Sequence, residues 1–96
     1  MSLDAAELRD LSAAISDRLF LQVAGWHLYL GDAGLAEPLA IECSARIDQG
    51  AAIAARQSLE ALQVPLGGGS TKLPLARLIP AVQLRDLEEI LEEHCR

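Results

Sequence analysis

The chain has 96 residues, the size of one domain with a modest core. Fourteen acidic residues against eight basic ones leave a net charge of -6, and the cations are scattered singly. That excludes a basic nucleic-acid-binding face and disfavours anionic lipid. Hydrophobic residues make up 51 %, and the surplus is alanine and leucine. One small core cannot hide so much leucine, so the composition predicts a homo-oligomer, most simply a dimer.

Asp4 opens the first element. As N-cap it places Glu7 at the third helical position, a capping box, with Leu3 and Leu8 at the spacing of a hydrophobic staple. Leu8, Leu11, Ile15 and Leu19 then recur at helical spacing. Early acids and no apolar h-region argue against a signal peptide. Cys43 and Cys95 form no disulfide framework, so the expectation is a cytoplasmic protein with free thiols.

The next stretch, Leu19 to Leu30, holds all three aromatic residues, Phe20, Trp26 and Tyr29, and is interrupted only by Gln22 and His27. It is too short to span a bilayer, which takes about 20 apolar residues, so no membrane insertion is expected. Its apolar character on nearly every side predicts a buried central helix. A single helix from Ala5 to Leu30 would be ~39 Å long, against a radius of gyration near ~13 Å for such a domain. A break is therefore expected near Ser16 and Asp17, with Ser16 as the second cap.

Gly31 closes that helix and Asp32-Ala33-Gly34 turns the chain. A third helix begins close to Pro38, since proline belongs in the first turn, and shows Leu39, Ala40, Cys43 and Ile47 on one face. Gly50 stops it. A fourth helix runs from about Ala51 to Gln63 and packs through Ala55, Leu59 and Leu62. Val64-Pro65-Leu66 and Leu73-Pro74-Leu75 flank Gly67-Gly68-Gly69-Ser70-Thr71-Lys72, which reads as a hairpin at about 64–75. The prolines make its arms edge strands at best. A short turn over Leu75–Ile79 stops at Pro80, and a last helix from Ala81 to His94 buries Leu84, Leu87, Ile90 and Leu91. The expected fold is one domain, mainly α: four to five helices around a central apolar helix (about 19–30), with a small β-hairpin.

Several residues could carry chemistry. His27, with Trp26 and Tyr29, could line a ligand pocket as a base lowered by burial. A histidine bonded within the core is the favoured reading, because no second ligand or nucleophile sits at a recognisable spacing. Tyr29 serves equally as core residue or interface anchor. The Gly67–Lys72 run invites anion binding with Lys72 on the anion, but GxxxxGK[ST] is absent and no helix follows. A flexible turn explains it. Glu92, Glu93, His94 and Cys95 are ligand types pointing apart, so no metal site and no cofactor is expected. Asp86, Glu88, Glu89, Glu92 and Glu93 crowd the last helix, with like-charge pairs at i, i+4 near its negative end. A solvated face explains them; docking of a basic protein partner is the functional alternative.

Val23-Ala24-Gly25-Trp26-His27-Leu28-Tyr29-Leu30 followed by Asp32-Ala33 resembles the signature of a family of small cyanobacterial proteins of unknown function. Gly67-Gly68-Gly69, Pro74-Leu75 and Leu78-Ile79-Pro80 sit where that family's glycine run and proline-flanked segment are expected. Gly25 replaces a longer polar residue, and the segment around Pro38 diverges. The resemblance implies a cytoplasmic protein of a photosynthetic bacterium and carries over no catalytic residue, substrate or cofactor. The residues therefore point to a non-enzymatic interaction or regulatory module. A small-ligand binder or minor enzyme near His27, Tyr29 and the Gly67–Lys72 turn is the alternative.

Overall fold

A computed structural model describes residues 4–23, 26–66 and 71–94. Four α-helices, α1 (Ala5–Arg18), α2 (Ala36–Arg46), α3 (Ala51–Ala61) and α4 (Val82–His94), make the fold mainly helical. Each helix packs on its neighbours in the cyclic order α1, α2, α3, α4, α1. Leu11, Ile15, Leu39, Cys43, Leu59, Leu87, Ile90 and Leu91 fill the space between them. The Cα radius of gyration is 12.5 Å.

The helix starts and stops follow from local chemistry. The Asp4 side chain accepts the Glu7 N–H at 2.8 Å and the Glu7 side chain accepts the Asp4 N–H at 3.3 Å, so the capping box forms. The staple's Leu3 lies outside the described residues. Pro38 falls in the first turn of α2, where no helical bond needs its N–H. Arg46 donates to the Glu42 carboxylate at 2.7 Å and to the Glu42 carbonyl at 3.1 Å, tying the last turn of α2. A short 3-10 turn, Ile47–Gln49, then leads to Gly50, whose φ of 103° suits only glycine.

The central helix expected over 19–30 is absent. That stretch is a β-hairpin, with β1 (Phe20–Val23) antiparallel to β2 (Trp26–Tyr29) in the register Phe20↔Tyr29 to Val23↔Trp26. Two residues separate the paired ends, and an X-Gly pair there is a hairpin signal. Phe, Val, Trp and Tyr, weak helix formers, suit a pleated strand. No break occurs at Ser16 either: α1 runs on to Arg18, and Ser16 is an interior residue rather than a cap. Its neighbour across the fold is Gly31, where a Cβ would fall on the Ser16 Oγ and crowd its Cβ. Gly31 is therefore a close-approach glycine after the hairpin, not the end of a helix. The core is the space between the four helices, with no cylinder at its centre.

The second hairpin pairs β3 (Gln63–Leu66) with β4 (Thr71–Pro74), close to the expected 64–75. Its glycine tip, 67–70, lies outside the described residues. A second 3-10 turn, Leu75–Arg77, leads towards α4. The two halves of the chain thus share an order: helix, hairpin, helix. They also share a closing device. Leu19 and Leu62 each end a helix by donating to the carbonyl four residues back, Ile15 at 3.0 Å and Ser58 at 3.0 Å. Their own carbonyls accept the N–H of Leu30 at 3.0 Å and of Leu75 at 2.8 Å, pinning the base of each hairpin.

Candidate functional site

Those basal bonds fix which amides of each hairpin face inward. In an antiparallel pair the hydrogen-bonded positions alternate. With 19↔30 bonded, 21↔28 and 23↔26 follow, and the N–H groups of Phe20, Gln22, His27 and Tyr29 point away from the partner strand. On β1 both outward amides are taken. Phe20 N–H donates to Gln83 Oε1 at 2.8 Å and Gln22 N–H donates to the Leu78 carbonyl at 2.8 Å. Gln83, on α4, is 2 % exposed, so the start of α4 seals this edge.

The β2 edge is different. Among the described residues no further strand pairs with it. The Tyr29 carbonyl turns inward to the chain, accepting the Ala33 N–H at 3.0 Å. Leu28 is 43 % and Tyr29 48 % exposed, although Leu19, Leu21 and Leu30 at the same hairpin are buried. The Tyr29 ring meets Phe20 edge-on, with centroids 5.9 Å apart, a favourable cross-strand aromatic pair. Tyr29 is therefore an exposed residue, not part of the core. Trp26 and His27 are placed on β2 by their backbone, and their side chains lie outside the described residues.

Lys72 is exposed on β4, in a separate sheet from Tyr29, so the fold distributes these two candidates over different hairpins. In the second hairpin 62↔75 is the bonded pair, which puts Pro65 and Pro74 at non-bonded positions. Their missing N–H groups would have faced outward, so the ladder survives both prolines. Full pairing is kept, contrary to the blockage their presence suggests.

On α4, Glu88 is half-buried, while Glu89, Glu92 and Glu93 are exposed. Glu89 is not free for a partner: Arg18 of α1 reaches it at 3.4 Å. Among the described residues no group of three or more His, Cys, Asp or Glu side chains could hold a metal ion. Cys43 is buried inside α2, and Cys95 lies outside the described residues. An open groove of about 610 Å³ runs between α1 and the start of α2, past Ser12, Ser16, Gly31, Pro38 and Ile41. A smaller one of about 240 Å³ lies between α3 and the start of α4, with Arg56 at its rim and Ile79, Pro80 and Leu84 along it. Neither is lined by Tyr29 or Lys72.

Sequence reasoning missed Leu28, Gly31 and Gln83 as positions of interest. The strand that carries Leu28 was legible in the pattern Phe-Leu-Gln-Val, Ala-Gly, Trp-His-Leu-Tyr, two β-prone quartets around a glycine-containing pair; the closeness of Gly31 to Ser16 was not. Gln83, 63 residues from the amide it caps, left no local signal.

The fold and its exposed strand thus define a small, mainly helical module in which no described helix is long and apolar enough to cross a membrane. Residues 8–94 match the profile of a family described as protein of unknown function (DUF3181), and the chain belongs to that family. It is similar to the thylakoid-associated protein slr0729 of the cyanobacterium Synechocystis, 29 % identical over 90 residues, which covers 92 % of this chain and 89 % of that protein. No solved structure matches the chain.

Proposed function

We propose that this protein is a non-catalytic interaction module that presents the β2 edge to another polypeptide. The observation carrying this reading is the open strand: it has no charge and no proline, and it shows two half-exposed large apolar side chains, Leu28 and Tyr29. Natural strand edges of that kind, left without charge, proline or cover, are templates for pairing. The relative's name, thylakoid-associated, supports a place of action at such a membrane. There a bound partner, rather than a spanning helix, would hold the chain. The exposed Glu93 of α4, with the half-buried Glu88 and the already engaged Glu92 beside it, gives a second, acidic surface suited to a basic partner.

Fractionation of the native host tests the location. The tagged chain is expected with the thylakoid membranes and is released by alkaline carbonate without detergent. Recovery wholly in the soluble fraction after gentle lysis removes the membrane part of the reading. A thermal-shift screen across metabolites tests the module against a ligand binder. A metabolite that stabilises the wild type but not His27→Ala would overturn a purely interactive role.

A further inference from the structure

We infer that the polypeptide seated on the β2 edge is a second copy of this chain, paired antiparallel across a two-fold axis at residue 27. This rests on the interaction reading above and names its partner. The outer edge of β2 offers the N–H and C=O of His27 and the N–H of Tyr29, with the Tyr29 carbonyl already engaged by Ala33. An antiparallel pair centred on residue 27 makes this edge its own complement: each His27 donates its N–H to the other's carbonyl. Such a contact is isologous, and it closes as a dimer instead of growing into a filament.

Three observations favour a copy of the same chain. First, residues 19–31 carry no formal charge, although the chain as a whole is at -6. Two acidic molecules can meet along this stretch with little like-charge repulsion. Second, pairing β2 with β2 joins two hairpins, each already packed on its own helices through Leu21 and Leu30, into one four-stranded sheet, β1-β2-β2-β1, and brings the half-exposed Leu28 and Tyr29 into the contact. Third, the other outward edges are closed to such growth. Gln83 and Leu78 occupy β1, Pro65 lacks the N–H on β3, and Pro74 lacks it on β4 beside the charged Lys72. The uncovered edge is the one with matching chemistry for itself.

The strands are short, about 13 Å at ~3.3 Å per residue, so the contact is small and reversible. Light scattering and sedimentation velocity across a concentration series read it directly. The mass should rise from one 10.3 kDa chain towards two, with little dependence on salt. His27→Pro removes the outward N–H at an edge position where proline is tolerated; it should weaken dimerisation about tenfold or more. Leu28→Lys, which changes no backbone group, should do the same and covers the case in which the proline variant misfolds. Gln63→Lys, on the other hairpin, should leave the dimer intact. A monomer at the highest soluble concentration, or a dimer untouched by both β2 variants, overturns self-pairing. If the chain is monomeric but its membrane recovery is lost in both β2 variants, the edge serves a different chain and only self-pairing falls. If they change neither property, the interaction reading falls with it.

Discussion

Two hairpins built by one device have opposite surfaces. Each starts where a helix ends in a leucine, and each is pinned at its base by a leucine-to-leucine backbone bond, Leu30 to Leu19 and Leu75 to Leu62. Beyond the base they diverge. The second hairpin carries a proline at an outward position of each strand and a lysine directly opposite Pro65, the usual means of keeping strand edges solitary. The first carries none of these. One of its edges is sealed by Leu78 and Gln83, and the other is left apolar and open. Equal backbone geometry therefore says little about what a hairpin does; the residues at the outward amides decide whether it ends the fold or extends it.

The largest effects should show whether the two bases are equivalent. Leu30 and Leu75 are both fully buried. Truncating either to alanine should destabilise the chain by about 2–5 kcal/mol in denaturant unfolding. A small loss at Leu30 alone would mean that the first hairpin is only loosely joined to the core.

Next in size is Gly31→Ala, which forces a methyl group onto Ser16; about 1–3 kcal/mol of overpacking is expected. Part of this should return in the double variant with Ser16→Ala, which removes the Oγ but not the Cβ. The described residues of the second hairpin, 63–66 and 71–74, include no glycine, so an alanine scan over them should produce no comparable pair.

Gln83→Leu tests the sealed edge. Loss of the acceptor for Phe20 N–H should cost about 1–2 kcal/mol, and hydrogen exchange at the Phe20 amide should accelerate while the β3–β4 amides stay protected. The loss is moderated because Gln83 Nε2 has no hydrogen-bond partner among the described residues, so leucine removes one unsatisfied group as it creates another.

Pro65→Ala should change stability by less than about 1 kcal/mol, because the ladder never used that N–H. It should nevertheless raise the tendency to associate, since it restores an outward donor on β3. Smallest of all is the Arg18–Glu89 pair, 39 % and 55 % exposed. Its removal by Glu89→Gln should cost at most about 1 kcal/mol and vanish in high salt.

The helical parts of the fold were legible because their signals are local. Asp4 and Glu7 mark a start, Pro38 sits in a first turn, Gly50 marks a stop, and leucines at 3.6-residue spacing mark the buried faces. The second hairpin was legible for the same reason, through glycine and proline. Leu19–Leu30 misled because a short apolar run has no period to distinguish a buried helix from a pair of strands. Its low helix propensity and the Ala-Gly pair were the signals that mattered. Among the candidate residues, the exposure of Tyr29 and the engagement of Glu89 by Arg18 needed the folded chain, since each depends on a neighbour distant in sequence.

By itself the sequence determined an acidic, mainly helical chain, where its four helices lie and that Gly50 follows the end of one of them. Those properties depend on residues within one or two turns of each other. The tertiary structure alone decided that Gly31 makes room for Ser16 and that Gln83 seals one strand of the first hairpin while its partner strand stays open. Each is a contact between segments far apart along the chain, and such contacts exist only once the helices have packed.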